Sequence, residues 1–88
     1  MGNPAARLTD SVAHIDGSGD IEEGAEGVFI DGQKAARQGD KVRHDDGKET
    51  ITEGSASVFI NGKPAARVGD KVGCGGKIAS GCGSVLIG

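Results

Sequence analysis

Pro64-Ala65-Ala66-Arg67-Val68-Gly69-Asp70-Lys71-Val72-Gly73-Cys74 decides how this chain is read, because the stretch recurs. Thirty residues earlier the chain runs Lys34-Ala35-Ala36-Arg37-Gln38-Gly39-Asp40-Lys41-Val42-Arg43-His44, and sixty earlier Pro4-Ala5-Ala6-Arg7-Leu8-Thr9-Asp10-Ser11-Val12-Ala13-His14. In each copy an Asp follows the Arg by three positions and a Val follows the Asp by two. A side chain able to bind metal follows the Asp by four, so His14, His44 and Cys74 stand at equivalent places.

The register continues past this stretch. Ile21, Glu23, Gly24, Val28, Phe29, Ile30 and Gly32 recur as Ile51, Glu53, Gly54, Val58, Phe59, Ile60 and Gly62. A third copy runs from Ile78 to Gly88, with three residues fewer between Cys74 and Ile78 than in the second. A fixed period of this kind marks one supersecondary unit used repeatedly. Apolar residues do not recur at helical spacing and glycine interrupts every run, which excludes helix. Val28-Phe29-Ile30 and Val58-Phe59-Ile60 read as strands that turn at Asp31-Gly32 and Asn61-Gly62 into partner strands over Gln33–Arg37 and Lys63–Val68. Asp-Gly and Asn-Gly suit type I′ turns, whose central residues both need positive φ. Pro64 lacks an N–H and predicts a strand position without a ladder donor. The third strand stops at Ile87-Gly88, where its siblings turn, and the chain begins just before Pro4. The reading is an all-β, pseudo-threefold set of hairpins closed into a ring with adjacent termini, a single domain over residues 1–88 with no further domain expected.

Composition limits what such a fold can rest on. The 88 residues include 17 Gly and two Phe, with no Trp or Tyr. Ordering backbone costs about 1–2 kcal/mol per residue and apolar burial returns roughly 25 cal/mol per Å². So thin a core calls for a metal, a disulfide or a partner. A net charge of −3 with no basic run or interleaved aromatics argues against nucleic acid. No segment approaches a membrane span and the N-terminus lacks a signal peptide's regions, so neither membrane insertion nor Sec-type export is expected.

Threefold closure would bring His14, His44 and Cys74 together as metal ligands. Zinc takes four N or S donors tetrahedrally. The fourth expected donor is Cys82, whose counterparts Ser55 and Ala25 cannot serve; Asp45, Asp46 or water are alternatives. A closed His2Cys2 set is structural, and iron fits the same donors. The competing reading is a Cys74–Cys82 disulfide with no metal.

The remaining motifs read as structure. Asp10, Asp40 and Asp70 are expected to order turns or pair with Arg7, Arg37 and Arg67, with Gly39 and Gly69 taking unusual backbone angles. Phe29, Phe59 and Leu86 fall on the opposite strand face from their neighbours, forming either a second core face or a partner surface. Asp16 to Asp20 lacks the Gly that a calcium loop needs at its sixth place, which is Ile21. No nucleophile has a base and an orienting group, so no enzyme is expected.

These residues resemble the PAAR-repeat family, named for the Pro-Ala-Ala-Arg tetrapeptide present at 4–7 and 64–67 and altered to Lys34-Ala35-Ala36-Arg37. The likeness extends through the following Gly-Asp, the metal ligand and the Val-Phe-Ile-Asn/Asp-Gly run, so it covers essentially the whole chain. It implies a small all-β cone holding zinc near its tip. It further implies a non-enzymatic piercing tip, one per trimer, on the VgrG-like β-helical spike of type VI secretion systems and contractile phage tails. The family's ligands fall on His14, His44 and Cys74; the usual set is richer in His, so Cys82 is a departure. Docking through the broad base makes Val28, Phe29, Ile30, Val58, Phe59, Ile60, Val85, Leu86 and Ile87 the candidate partner residues. Such a tip would be cytoplasmic until loaded and then injected or carried on a virion, with an effector able to ride non-covalently. The alternative is a free-standing zinc-binding adaptor for protein–protein contact.

Overall fold

The computed structural model describes every residue except Met1, Ile15, Asp16, Asp45, Asp46 and Cys74, and the backbone alone of His14, Gly17, Ser18, His44, Gly47 and Lys48. In chain order the strands are β1 (Asn3–Ala5), β2 (Ser11–His14), β3 (Gly17–Ile21), β4 (Phe29–Ile30), β5 (Gln33–Lys34) and β6 (Lys41–His44). They continue as β7 (Gly47–Thr50), β8 (Phe59–Ile60), β9 (Lys63–Pro64), β10 (Lys77–Ile78) and β11 (Cys82–Ile87). The protein is all-β: no helix occurs among the described residues, hence none long and apolar enough to cross a membrane.

Each repeat supplies a long hairpin and a short one. The long hairpins β2–β3 and β6–β7 lie side by side, giving the strand order β10-β2-β3-β6-β7. Beyond β7, Ile51 bridges Val72 and Gly73 N–H donates to Thr50 C=O at 2.9 Å, while Lys71 bridges Lys77 just before Ile78. Residues 71–73 thus join β7 to β10 and the sheet closes on itself, as the repeat arithmetic predicts.

The short hairpins turn where expected. Asp31 and Gly32 have φ of 51° and 86°, and Asn61 and Gly62 of 52° and 82°, the paired positive values of a type I′ turn. The third short hairpin has no turn and is made from the two ends of the chain. Leu86 pairs with Pro4 as Phe29 pairs with Lys34 and Phe59 with Pro64. Ala65 N–H donates to Val58 C=O at 2.9 Å, so the ladder alternation leaves the Pro64 position without a donor to supply. Pro and Lys are interchangeable there. The partner strands are shorter than the sequence reading, ending at Lys34 and Pro64; Ala35 and Ala65 keep one hydrogen bond to the hairpin while bridging Arg7 and Arg37 of other repeats.

Those bridges surround the axis. Ala36 N–H donates to Ala6 C=O, Ala66 N–H to Ala36 C=O and Ala6 N–H to Ala66 C=O, each at 3.0 Å. Three backbones meet so closely that the positions are filled by Ala and are at most 1% exposed. On one side of this ring, Val12, Val42, Val72, Ile21, Ile51 and Ile78 pack with Ala6, Ala36 and Ala66 as the main core. On the other, Ala5, Ala65 and Ile87 form a smaller cluster against Ile30 and Ile60. Consecutive alanines face opposite layers, which follows from strand alternation.

The Arg–Asp expectation resolves to pairing within a repeat. Asp10 accepts from Arg7 backbone N–H at 2.7 Å and from Nε and Nη2 at 3.0 Å, and Asp40 and Asp70 repeat the arrangement with Arg37 and Arg67. The turn needs a positive φ, 95° at Gly39 and 94° at Gly69; Thr9 adopts 76° at the equivalent place.

Candidate metal hairpins and apolar face

β2 ends at His14 and β6 at His44. His14 pairs with Gly17, Val12 with Gly19, and Gly19 in turn with His44. Paired residues share a sheet face and alternate residues share it along a strand. Positions 12, 14, 17, 19, 42 and 44 therefore lie on one face. Val12 and Val42 are fully buried, so this face is the interior one. On this face β3 carries Ile21 beside Val42 and, nearer the histidine positions, Gly17 and Gly19, which have no Cβ and leave the space there unfilled by β3. That arrangement fits a shared ion. Cys74, Asp45 and Asp46 lie outside the described residues. Among the described residues no three His, Cys, Asp or Glu side chains form a metal cluster.

Cys82 is placed elsewhere than the sequence reading put it. Descending from Lys77↔Ala13 and Ile78↔Val12, the chain passes Ala79, whose N–H donates to Ser11 C=O at 2.8 Å, before Cys82 pairs with Ala5. Ser11 to His14 alone spans about 10 Å of extended strand, and Cys82 lies further on, beside the alanine ring. Its thiol is free and 5% exposed, and its Sγ is 3.2 Å from Ser84 Oγ. The hydrogen bond to Ser84 lowers the thiol pKa, and the nearby Arg7 charge acts in the same direction. Its break of the threefold register and the shortened third loop made Cys82 the expected fourth donor, but the strand direction carries it away from the hairpin ends.

One residue not singled out by the sequence reading does lie on the interior face. Glu49 pairs with Val42, and it replaces the glycine found at position 19 of the first repeat. The signal was a charged residue standing in a glycine register.

At the other end of the axis lies an apolar face. Phe29, Phe59 and Leu86 occupy equivalent strand positions and are 60%, 56% and 60% exposed. Val58 and Val85 are exposed beside them and Val28 is half-buried. The neighbouring Ile30 and Ile60 instead turn inward to pack on the small cluster, and Ile87 is buried in it. Of the nine candidate partner positions, Phe29, Phe59, Leu86, Val58 and Val85 are exposed, Val28 is half-buried, and Ile30, Ile60 and Ile87 pack inward. An ion-paired rim accompanies them, with Lys34 Nζ 2.7 Å from Glu26 Oε2.

No curated protein matches the chain. A family model described as PAAR motif matches residues 1–47 and again 16–80, both spans holding the Arg–Asp turns and the hairpins above. With the repeat, the alanine ring and the ligand register all falling inside those spans, the chain belongs to the PAAR-motif family.

Proposed function

We propose that this protein is a non-enzymatic tip that caps the trimeric VgrG-like spike of a contractile injection machine. The observation that carries the proposal is the trio Phe29, Phe59 and Leu86, exposed at equivalent places around a pseudo-threefold axis. A threefold partner can offer each of them a similar site, and contiguous exposed apolar surface of this kind marks an interaction face. One monomer satisfies three chains at once. Membership in the PAAR-motif family supports the spike-tip role.

At the opposite end, zinc held by His14, His44 and Cys74 would cross-link the hairpins of the three repeats. When bound, the ion supplies structure rather than chemistry, and a closed structural site can contribute an apparent ~10–16 kcal/mol to folding in small peptides. The tip then travels from the cytoplasm on the spike, with effectors riding non-covalently.

Light scattering on mixtures with a purified trimeric spike protein tests the docking. The expected product holds one chain per trimer, and Phe29→Asp with Phe59→Asp abolishes it while leaving the circular dichroism spectrum unchanged. Binding that ignores those substitutions, or a ratio of three chains per trimer, refutes the proposal in favour of an adaptor.

A further inference from the structure

We infer that the border between the second and third repeats, marked by Lys63, Lys71 and Lys77, is the docking surface for an acidic segment of a partner protein. Charge is spread unevenly around the pseudo-threefold axis. Residues 4–33 carry one Arg and seven Asp or Glu, residues 34–63 six Lys or Arg and five acids, and residues 64–88 three Lys or Arg and one Asp. The described acids of the first repeat have partners within the chain. Asp10 and Asp31 face Arg7 at 3.0 and 3.8 Å, Glu26 meets Lys34 at 2.7 Å, and Asp20 and Glu22 meet Arg43 at 3.3 and 4.0 Å. Glu23 Oε1 accepts the Lys41 main-chain N–H at 3.0 Å. Lys63, Lys71 and Lys77 are exposed, and among the described residues no carboxylate pairs with their ammonium groups.

Two of these lysines are set directly against each other. Lys71 bridges Lys77, whereas the same register holds Ser11 against Asp20 in the first repeat and Lys41 against Thr50 in the second. Like charges directly opposite on a sheet destabilise it, so the third repeat is weakened here where its sisters are not. Beside the pair, Thr52 donates from its N–H and its Oγ1 to the Lys71 C=O at 2.9 and 3.0 Å. Thr52 is also a wall of an open cleft of about 530 Å³, lined further by Gln38, Thr50 and Lys63 and by no acid. The acid at this border, Glu53, accepts the Lys71 main-chain N–H at 3.0 Å, and Asp70 is buried against Arg67. Ammonium, hydroxyl and carboxamide donors around a concavity suit carboxylates. A threefold partner presents the same potential to each repeat, so uneven charge adds nothing to docking on it; this step rests on the base docking proposed above. The asymmetry instead selects a partner that meets one side of the molecule, one copy per chain. That partner is a short segment: fields decay over about 8 Å at physiological salt, and at longer range the net charge of −3 repels an extended polyanion such as a bilayer surface or a nucleic acid.

Fluorescence anisotropy of a labelled Glu-rich peptide, titrated with the full chain, tests the surface. The expected result is binding that weakens as salt rises and is absent for a Gln-rich counterpart. Lys71→Ser with Lys77→Ser weakens it by about tenfold, the scale of two exposed ion pairs lost, while Gln33→Glu, which lowers the net charge on another repeat, leaves it unchanged. Serine stands at the Lys71 place in the first repeat, so the double variant folds, and relief of the repulsion keeps its Tm at or above the wild-type value. A lowered Tm overturns the inference, because the lysines would then be holding the fold. Wild-type affinity in the double variant overturns it too, as does a wild-type chain that binds no peptide, or one that pellets with phosphatidylserine vesicles through the same lysines. Failure of the peptide leaves the light-scattering result with the spike untouched, whereas a double variant that no longer joins the spike places the lysines at the base and overturns the flank alone.

Discussion

Replacing Asp40 with Ala removes the most enclosed acid among the described residues, and its effect can be worked out from the contacts. Asp40 is 1% exposed and accepts Arg37 backbone N–H at 2.8 Å, Nε–H at 3.2 Å and Nη2–H at 2.8 Å. The first of these closes the turn that leads into β6; the other two hold a guanidinium whose pKa is raised chiefly by the hydrogen bond to Asp40. Deleting one partner of a buried charged pair costs about 3–5 kcal/mol. The Arg37 side chain is 15% exposed and regains some water, which favours the lower end, about 3 kcal/mol. A chain of this size has about 4–13 kcal/mol of total stability on the usual per-residue scale, so the loss is a large part of it. At about 4–8 °C per kcal/mol for a small domain, Tm falls by about 12–24 °C. The chain has no Trp or Tyr, so the assay is scanning calorimetry at fixed zinc rather than intrinsic fluorescence. Glu26→Ala is the control: it breaks an ion pair of similar length, but Glu26 is 87% exposed and such pairs contribute little. A D40A variant that melts with the wild type, or an E26A variant that falls as far, would show that the Arg–Asp turn does not hold the fold.

Two further outcomes follow from other parts of the structure. Thr9 adopts a φ of 76° where its counterparts are Gly39 and Gly69. A left-handed conformation costs an L residue about 1–2 kcal/mol, against about 0.5–1 kcal/mol for the extra freedom of glycine in the unfolded chain. Thr9→Gly should therefore raise stability by about 0.5–1 kcal/mol in urea titration, and a lowered midpoint would contradict the strain assignment. Removing metal with a strong chelator should lower Tm, since a ligand at a hundred times its Kd stabilises the folded state by about 2.7 kcal/mol. Identical melting curves with zinc and with chelator would eliminate the structural ion.

Much of the architecture was legible because the chain states it several times. Asp31-Gly32 and Asn61-Gly62 could be read as turns since few residues tolerate paired positive φ, and the structure has those values. The split third hairpin followed from where Ile87-Gly88 and Asn3-Pro4 fall in the register, and Leu86 does pair with Pro4. What sequence spacing does not carry is direction. Cys82 is near Cys74 in number, but β10 leads towards Ala5 and takes the thiol with it. Alternation split the Val-Phe-Ile runs, so Ile87 is core while Leu86 is surface. Glu49 stands out only in register, where the first and third repeats carry Gly19 and Gly76.

The alanine relay is cyclic: each of residues 6, 36 and 66 both gives and receives one backbone link. A chain that has folded its first two copies holds just the link from Ala36 to Ala6; the other two arrive together, when Ala66 comes within reach of a residue sixty positions away. Most of the loop entropy is therefore spent before most of the reward, which makes folding slow and all-or-none for so short a chain. Once shut, the loop has no weakest terminus from which to peel. A thrust along the axis loads three like struts at once.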